Sequence, residues 1–116
     1  MLTLRLSAAA QADIVDILSW SEEQFGESAR LRYEALIIAA LHDIAEQSDR
    51  PGSLARSELG VDIRSWHLRW SRDRTRSGKV QKPRRFIIYR TDSNVLVVGR
   101  ILHDGMELAR HMSDFQ

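Results

Sequence analysis

The chain has 116 residues, 43% of them hydrophobic, and a formal net charge of +1, which fits one domain spanning residues 1–116 with a modest core. It contains no cysteine, so disulfides, thiol nucleophiles and cysteine-held metals are excluded. Its four histidines, His42, His67, His103 and His111, show no metal-ligand spacing such as HExxH, and no apolar run approaches the ~20 residues of a membrane span.

The small net charge hides an uneven distribution. Residues 1–63 carry five Lys/Arg against eleven Asp/Glu, whereas residues 64–100 carry eleven against two. The division points to an acidic helical layer and a basic sheet or loop, the latter suited to phosphates or to an acidic protein. The stretch MLTLRLSAAAQADI lacks the basic-then-apolar pattern of a secretory signal, so a cytoplasmic protein without cofactor or metal is expected.

In chain order, LTLRLS alternates Leu2, Leu4 and Leu6 against Thr3, Arg5 and Ser7, the period of a strand with one face on a core. Ser7 is a suitable N-cap for a helix that begins in an alanine run and breaks at Gly26. Tyr33, Leu36, Ile37, Ala40, Leu41 and Ile44 follow the helical stripe without a gap, and the short link at Gly26 makes the two helices an antiparallel hairpin. Pro51 and Gly52 end the second helix. VDIRSWHL (61–68) reads as a strand, and RWSRDRTRSGKVQKP as an extended, mobile connection. RRFIIYR (84–90) and NVLVVGRIL (94–102) are strands rich in β-branched residues, joined by a turn at TDSN. DGMELARHM then fits a short helix capped by Asp104.

The order is β-α-α-β-β-β-α, an α+β fold. Its simplest packing is one antiparallel sheet of about four strands with the helical hairpin on one face. Arg5, Arg64 and Arg100 would then converge on the uncovered face. Tyr89 reads as core, Trp66 as packing on the sheet edge and Trp20 as filler between helix and sheet. Trp66 and Trp70, flanking His67 in a basic segment, also suit stacking on nucleic-acid bases.

Four segments, AAQADIVDILSWSEEQFG, DIRSWHLRW, KPRRFIIYR and VVGRILHDGMELARHM, together resemble the RelE/ParE superfamily of bacterial type II toxins, and specifically its ParE branch. The last is the most specific, matching an R-x-L-H-(D/G)-x-M-(D/E)-L-x-x-H ending. The resemblance implies a toxin that inhibits DNA gyrase and is neutralised by a ParD-like antitoxin. It implies antitoxin contacts at Arg5, Arg64, Arg85 and Arg100, and target contacts at Arg100, His103, Met106, Arg110 and Met112. The basic loop over residues 69–85 is then a candidate for touching gyrase-bound DNA.

The alternative within the superfamily is a RelE-like ribosome-dependent mRNA endoribonuclease, with Arg64, Arg85 and Arg100 on the phosphate and His103 as acid or base. Against it stand the missing lysine-rich centre and the Asp104 carboxylate beside His103. In the binding-protein reading no catalytic residue is expected, and His103 fastens the strand-to-helix corner.

Overall fold

The computed structural model describes residues 1–75 and 78–105. The proposed terminal helix, with Met106, Arg110 and Met112, lies outside them. Strand β1 (Thr3–Leu6) leads into helix α1 (Ala8–Phe25), and helix α2 (Glu27–Glu46) returns antiparallel to it. A two-residue strand β2 (Leu54–Ala55), strand β3 (Ile63–His67), a 3-10 helix over Leu68–Arg74, and strands β4 (Arg85–Asp92) and β5 (Val95–His103) follow. The α+β class and the helical hairpin are as expected from the sequence.

Capping explains the helix boundaries. The Ser7 side chain accepts the Ala10 N–H at 3.0 Å, satisfying one of the donors that a helix start leaves open. Gly26 adopts φ 92°, a backbone region costly to any residue with a Cβ, and so turns α1 into α2 without a loop. The six residues of the α2 stripe are all buried, and they pack with Trp66, Ile87, Tyr89, Leu96, Val98 and Ile101 of the sheet. Each fully buried large side chain contributes roughly 1.5–3 kcal/mol.

Five strands form the sheet, in the order β1-β5-β4-β3-β2, and the outermost long pairing is parallel. An antiparallel sheet of about four strands was expected; direction explains the difference. Helix α2 ends beside the start of β1, where the Leu2 N–H donates to the Ala45 carbonyl. From there β3, β4 and β5 reverse twice, so β5 emerges in the same direction as β1 and pairs with it in parallel.

The basic connection after β3 is also more structured than its composition suggests. Leu68 and Ser71 of the 3-10 helix are fully buried. Ser71 Oγ donates to Asp43 of α2 at 2.6 Å and accepts Trp66 Nε1–H at 2.9 Å. Arg50 and Arg74 approach the same carboxylate at 3.5 and 3.2 Å, so a buried acid gathers α2, β3 and the 3-10 helix. Trp66 is therefore core, not edge.

A β-bulge between Ile88 and Tyr89 shifts the β4–β5 register: Ile88 faces Arg100, whereas Tyr89 faces Val98. Strand β1 stops at Leu6, leaving the rest of β5 without a strand neighbour on that side. Asp13 of α1 fills the gap. Its Oδ2 accepts the Ile101 backbone N–H at 2.9 Å, and both its oxygens accept from the Arg100 guanidinium at 2.8 Å. The two side chains are only 18% and 13% exposed, so Arg100 is not the exposed functional group expected from the sequence.

Two stability experiments follow from these clusters. Asp43→Ala is expected to cost about 3–5 kcal/mol, because it strands buried donors and cations, and Ser71→Ala about 1–3 kcal/mol; urea unfolding with an unchanged m-value measures both. Asp13→Asn and Arg100→Gln should each destabilise the fold, and the double variant should lose clearly less than their sum. Strict additivity would mean that the pair does not act as a unit.

Candidate functional site

The four arginines singled out in the sequence do not share a face. Arg5 lies in one row across the sheet with Val97, Arg90 and Ile63, on the face away from the helices. Arg64 sits opposite Tyr89, a residue of the helix-covered core, and its guanidinium donates to Ser53 Oγ at 2.7 and 3.2 Å. Arg85 lies at the other end of that covered side, 5.7 Å above the Trp20 ring. Arg100 is tied to Asp13 at the edge of β5. The expected convergence of Arg5, Arg64 and Arg100 on the uncovered face therefore fails. By register Arg100 does lie on that face, because the bulge takes it out of phase with Val98 and sets it opposite Ile88, but its guanidinium turns to Asp13. Arg64 is in phase with Trp66, which packs into the helix-covered core.

The face away from the helices carries other arginines as well. Arg90 joins Arg5 through the Val97 row. Arg56, from the segment after β2, donates to Ser65 Oγ at 2.9 Å and lies 5.9 Å from the Phe86 ring centroid. Between them Ile63, Phe86, Ile88 and Leu102 form a second small core with Leu59 packed against it. The alternation of RRFIIYR puts Arg90 in phase with Phe86 and Ile88, so its side was legible. Arg56 left no periodic signal.

Arg85 and His103 meet in a cavity of about 500 Å³, where the closed end of the helical hairpin overhangs β4 and β5. Trp20, Phe25, Ala29 and Tyr33 line it from the helices, and residues 79–82 with Arg84 and Arg85 from the other side. Trp20 is 47% exposed and meets Phe25 edge-on at 5.6 Å, so it fills no space between helix and sheet. Burial raises the Tyr33 phenol above its ordinary range, and the Arg85 charge opposes that shift. His103 Nδ1 accepts the Gly105 N–H at 3.0 Å, which braces the corner after β5.

Asp104 has a second neighbour set. Its Oδ2 accepts from His67 Nε2 at 3.1 Å, and its Oδ1 from Arg84 Nε at 3.1 Å. The Asp104 N–H donates to the Arg84 carbonyl at 2.7 Å, and His67 Nδ1 accepts the Arg69 N–H at 3.1 Å. With Nδ1 an acceptor, the proton resides on Nε2, and a second proton would break the bond to Arg69. The cluster joins β3, β4 and β5 at one end; its role as a helix cap concerns residues outside those described. Among the described residues no group of three His, Cys, Asp or Glu side chains comes together to hold a metal ion, and no helix is long and apolar enough to cross a membrane.

Burial pushes the His67 imidazole below its ordinary 6.5, overriding the Asp104 hydrogen bond. At Asp104 burial acts upward, yet hydrogen bonds from His67 and Arg84 hold the carboxyl below its ordinary range. Both depressed values mean that the unfolded chain takes up protons first, so both groups stabilise the fold at neutral pH. The His67 contribution is lost as pH falls below about 6.5, and the Asp104 contribution as it falls below about 4. In urea titrations from pH 8 to 3, His67→Gln should therefore narrow its stability deficit through the upper window. A deficit constant with pH would refute the assignment.

A family model described as the ParE toxin of the type II toxin–antitoxin system parDE matches residues 4–108. Among solved structures, a copper-bound mutant toxin from Helicobacter pylori superposes with a TM-score of 0.60 at 15% identity, over 90% of this chain and 97% of that one. That likeness bears on the fold. A search of curated proteins found no match. The family match takes in both helices and the sheet from Leu4 onward, and the chain belongs to the ParE toxin family of type II toxin–antitoxin systems.

Proposed function

We propose that the chain is a toxin that inhibits DNA gyrase in the cytoplasm and is neutralised by a ParD-like antitoxin. The match to the parDE toxin family over residues 4–108 carries this reading. The placement of the arginines supports a binding protein over a ribonuclease. Cleavage of RNA needs a base, an acid and cations around one phosphate. Here Arg64 and Arg100 are held apart from the Arg85 and His103 cavity by their bonds to Ser53 and Asp13.

Antitoxin recognition then falls to Arg5, Arg64 and Arg85, with an acidic, leucine-bearing segment as the partner. Arg5 stands exposed on β1, whose outer edge carries no strand among the described residues, so a partner strand can add there. Arg100 serves this surface indirectly, by fixing α1. The gyrase contact is assigned to the end of β5 at His103 and onward through Met106, Arg110 and Met112, with DNA touched by the basic residues of the 69–85 segment.

The purified toxin should lower gyrase supercoiling of a plasmid and increase the linear DNA released by detergent, leaving ribosome-bound mRNA intact. Unchanged supercoiling together with cut mRNA would replace this reading by the ribonuclease one. Arg5→Glu should leave toxicity in place while weakening antitoxin binding by about tenfold, roughly 1.4 kcal/mol, measured by calorimetric titration.

A further inference from the structure

The cavity at the closed end of the helical hairpin combines two features that no packing role explains. Trp20 and Phe25 leave 47% and 68% of their surface in water, although each fixes the other edge-to-face at an interplanar angle of 77°. Cations surround them, with no Asp or Glu among the described residues that line the cavity. Lys79 and Arg84 have acidic partners in Asp73 and Asp104. Arg32, Lys82 and Arg85 have none among the described residues, and Arg85 already stands over the Trp20 ring.

The wall opposite the rings is anchored. Arg72 donates to the Gln81 carbonyl at 2.8 Å, Thr75 to the Gly78 carbonyl at 3.0 Å, and Lys79 pairs with Asp73 at 2.9 Å. Gly78, at φ +105°, brings the chain so close to Arg32 that an added Cβ would lie 3.1 Å from its side chain. The cations are thus held against the cavity by backbone geometry.

We propose that this cavity binds a nucleotide of a single-stranded nucleic acid, with its base against Trp20 and Phe25 and its phosphate between Arg85, Lys82 and Arg32. An exposed aromatic face recognises any base, and a neighbouring cation cluster recognises the phosphate; one nucleotide presents both groups together. The volume of about 500 Å³ falls in the range of sites that enclose such a unit. A base inside a duplex is stacked on both faces and cannot enter, so the site discriminates single strands. The acidic antitoxin segment assigned to Arg85 above satisfies that cation, but its carboxylates give two exposed rings no reason to stand among the cations; strand and antitoxin would therefore compete for Arg85. The site is independent of gyrase: strand binding would persist in a chain that leaves supercoiling untouched.

The test is fluorescence anisotropy of the full chain with a labelled ten-nucleotide oligothymidine and with a matched duplex, at low and moderate salt. The single strand should bind several-fold tighter than the duplex and weaken as salt rises. Trp20→Ala should weaken strand binding by about tenfold or more, whereas Trp20→Phe, which keeps a ring, should retain most of it. Arg85→Glu should reduce binding further, with an unchanged far-ultraviolet circular dichroism spectrum reporting an intact fold. Equal affinity for duplex and single strand, or binding indifferent to Trp20→Ala, overturns the proposal. So does a glutamate- and leucine-containing peptide that alone quenches the Trp20 emission.

Discussion

The described structure depends on how the unpaired length of β5 is closed. Strand β5 spans nine residues and β1 only four, so most of the inner strand would otherwise present backbone donors to a low-dielectric boundary. Asp13 supplies the missing acceptor to Ile101, and Arg100 neutralises the carboxylate that does so. A buried carboxylate without that guanidinium would cost several kcal/mol. Because Asp13 sits on α1, the same contact sets where α1 lies against the sheet, and Gly26 then dictates the return of α2. The cavity at the hairpin's closed end is a consequence of that placement.

This explains why formal segment charge is a poor guide to surface charge. Residues 64–100 carry nine more Lys/Arg than Asp/Glu. Yet several of those cations are occupied by acids from elsewhere in the chain: Arg100 by Asp13, Arg74 by Asp43, Arg84 by Asp104. The acidic helical layer and the basic sheet inferred from composition do exist, but part of their attraction is internal. What remains for a partner is a smaller set at distinct places, with Arg5 on the edge strand and Arg32, Lys82 and Arg85 around two aromatic rings.

The elements were legible where one local pattern decided them. The α2 stripe, the Ser7 cap, the Gly26 break and the cores of β4 and β5 each follow from periodicity or from a single backbone requirement. The 3-10 helix was not, because its structure rests on two buried positions, Leu68 and Ser71, in a segment otherwise made of charge. The parallel β1–β5 pair was hidden because strand partners across the chain leave no mark in either segment alone. Gly99 inside a strand was the available sign of the bulge that sets Arg100 opposite Ile88, whereas the capture of Arg100 by Asp13 left no mark in either segment alone. At the candidate site, Arg85 and His103 were found from the sequence, whereas Trp20 and Arg32 were not. Their helical positions are ordinary, and only the tertiary overhang turns them toward Arg85.

A toxin that pairs with an antitoxin must keep its cations where a large partner can reach them. Flexible arginines would lose side-chain entropy on each encounter. Here the rigidity is built in advance: Arg85 is laid on Trp20, Trp20 is braced by Phe25, and residues 78–82 are pinned to the 3-10 helix by Arg72 and Thr75. The exposed rings contribute little to the core, and they stand beside cations that have no acidic partner among the described residues. The buried acids and the exposed aromatics are therefore two sides of one arrangement, the first removing surplus charge from the interior and the second ordering the charge that is left.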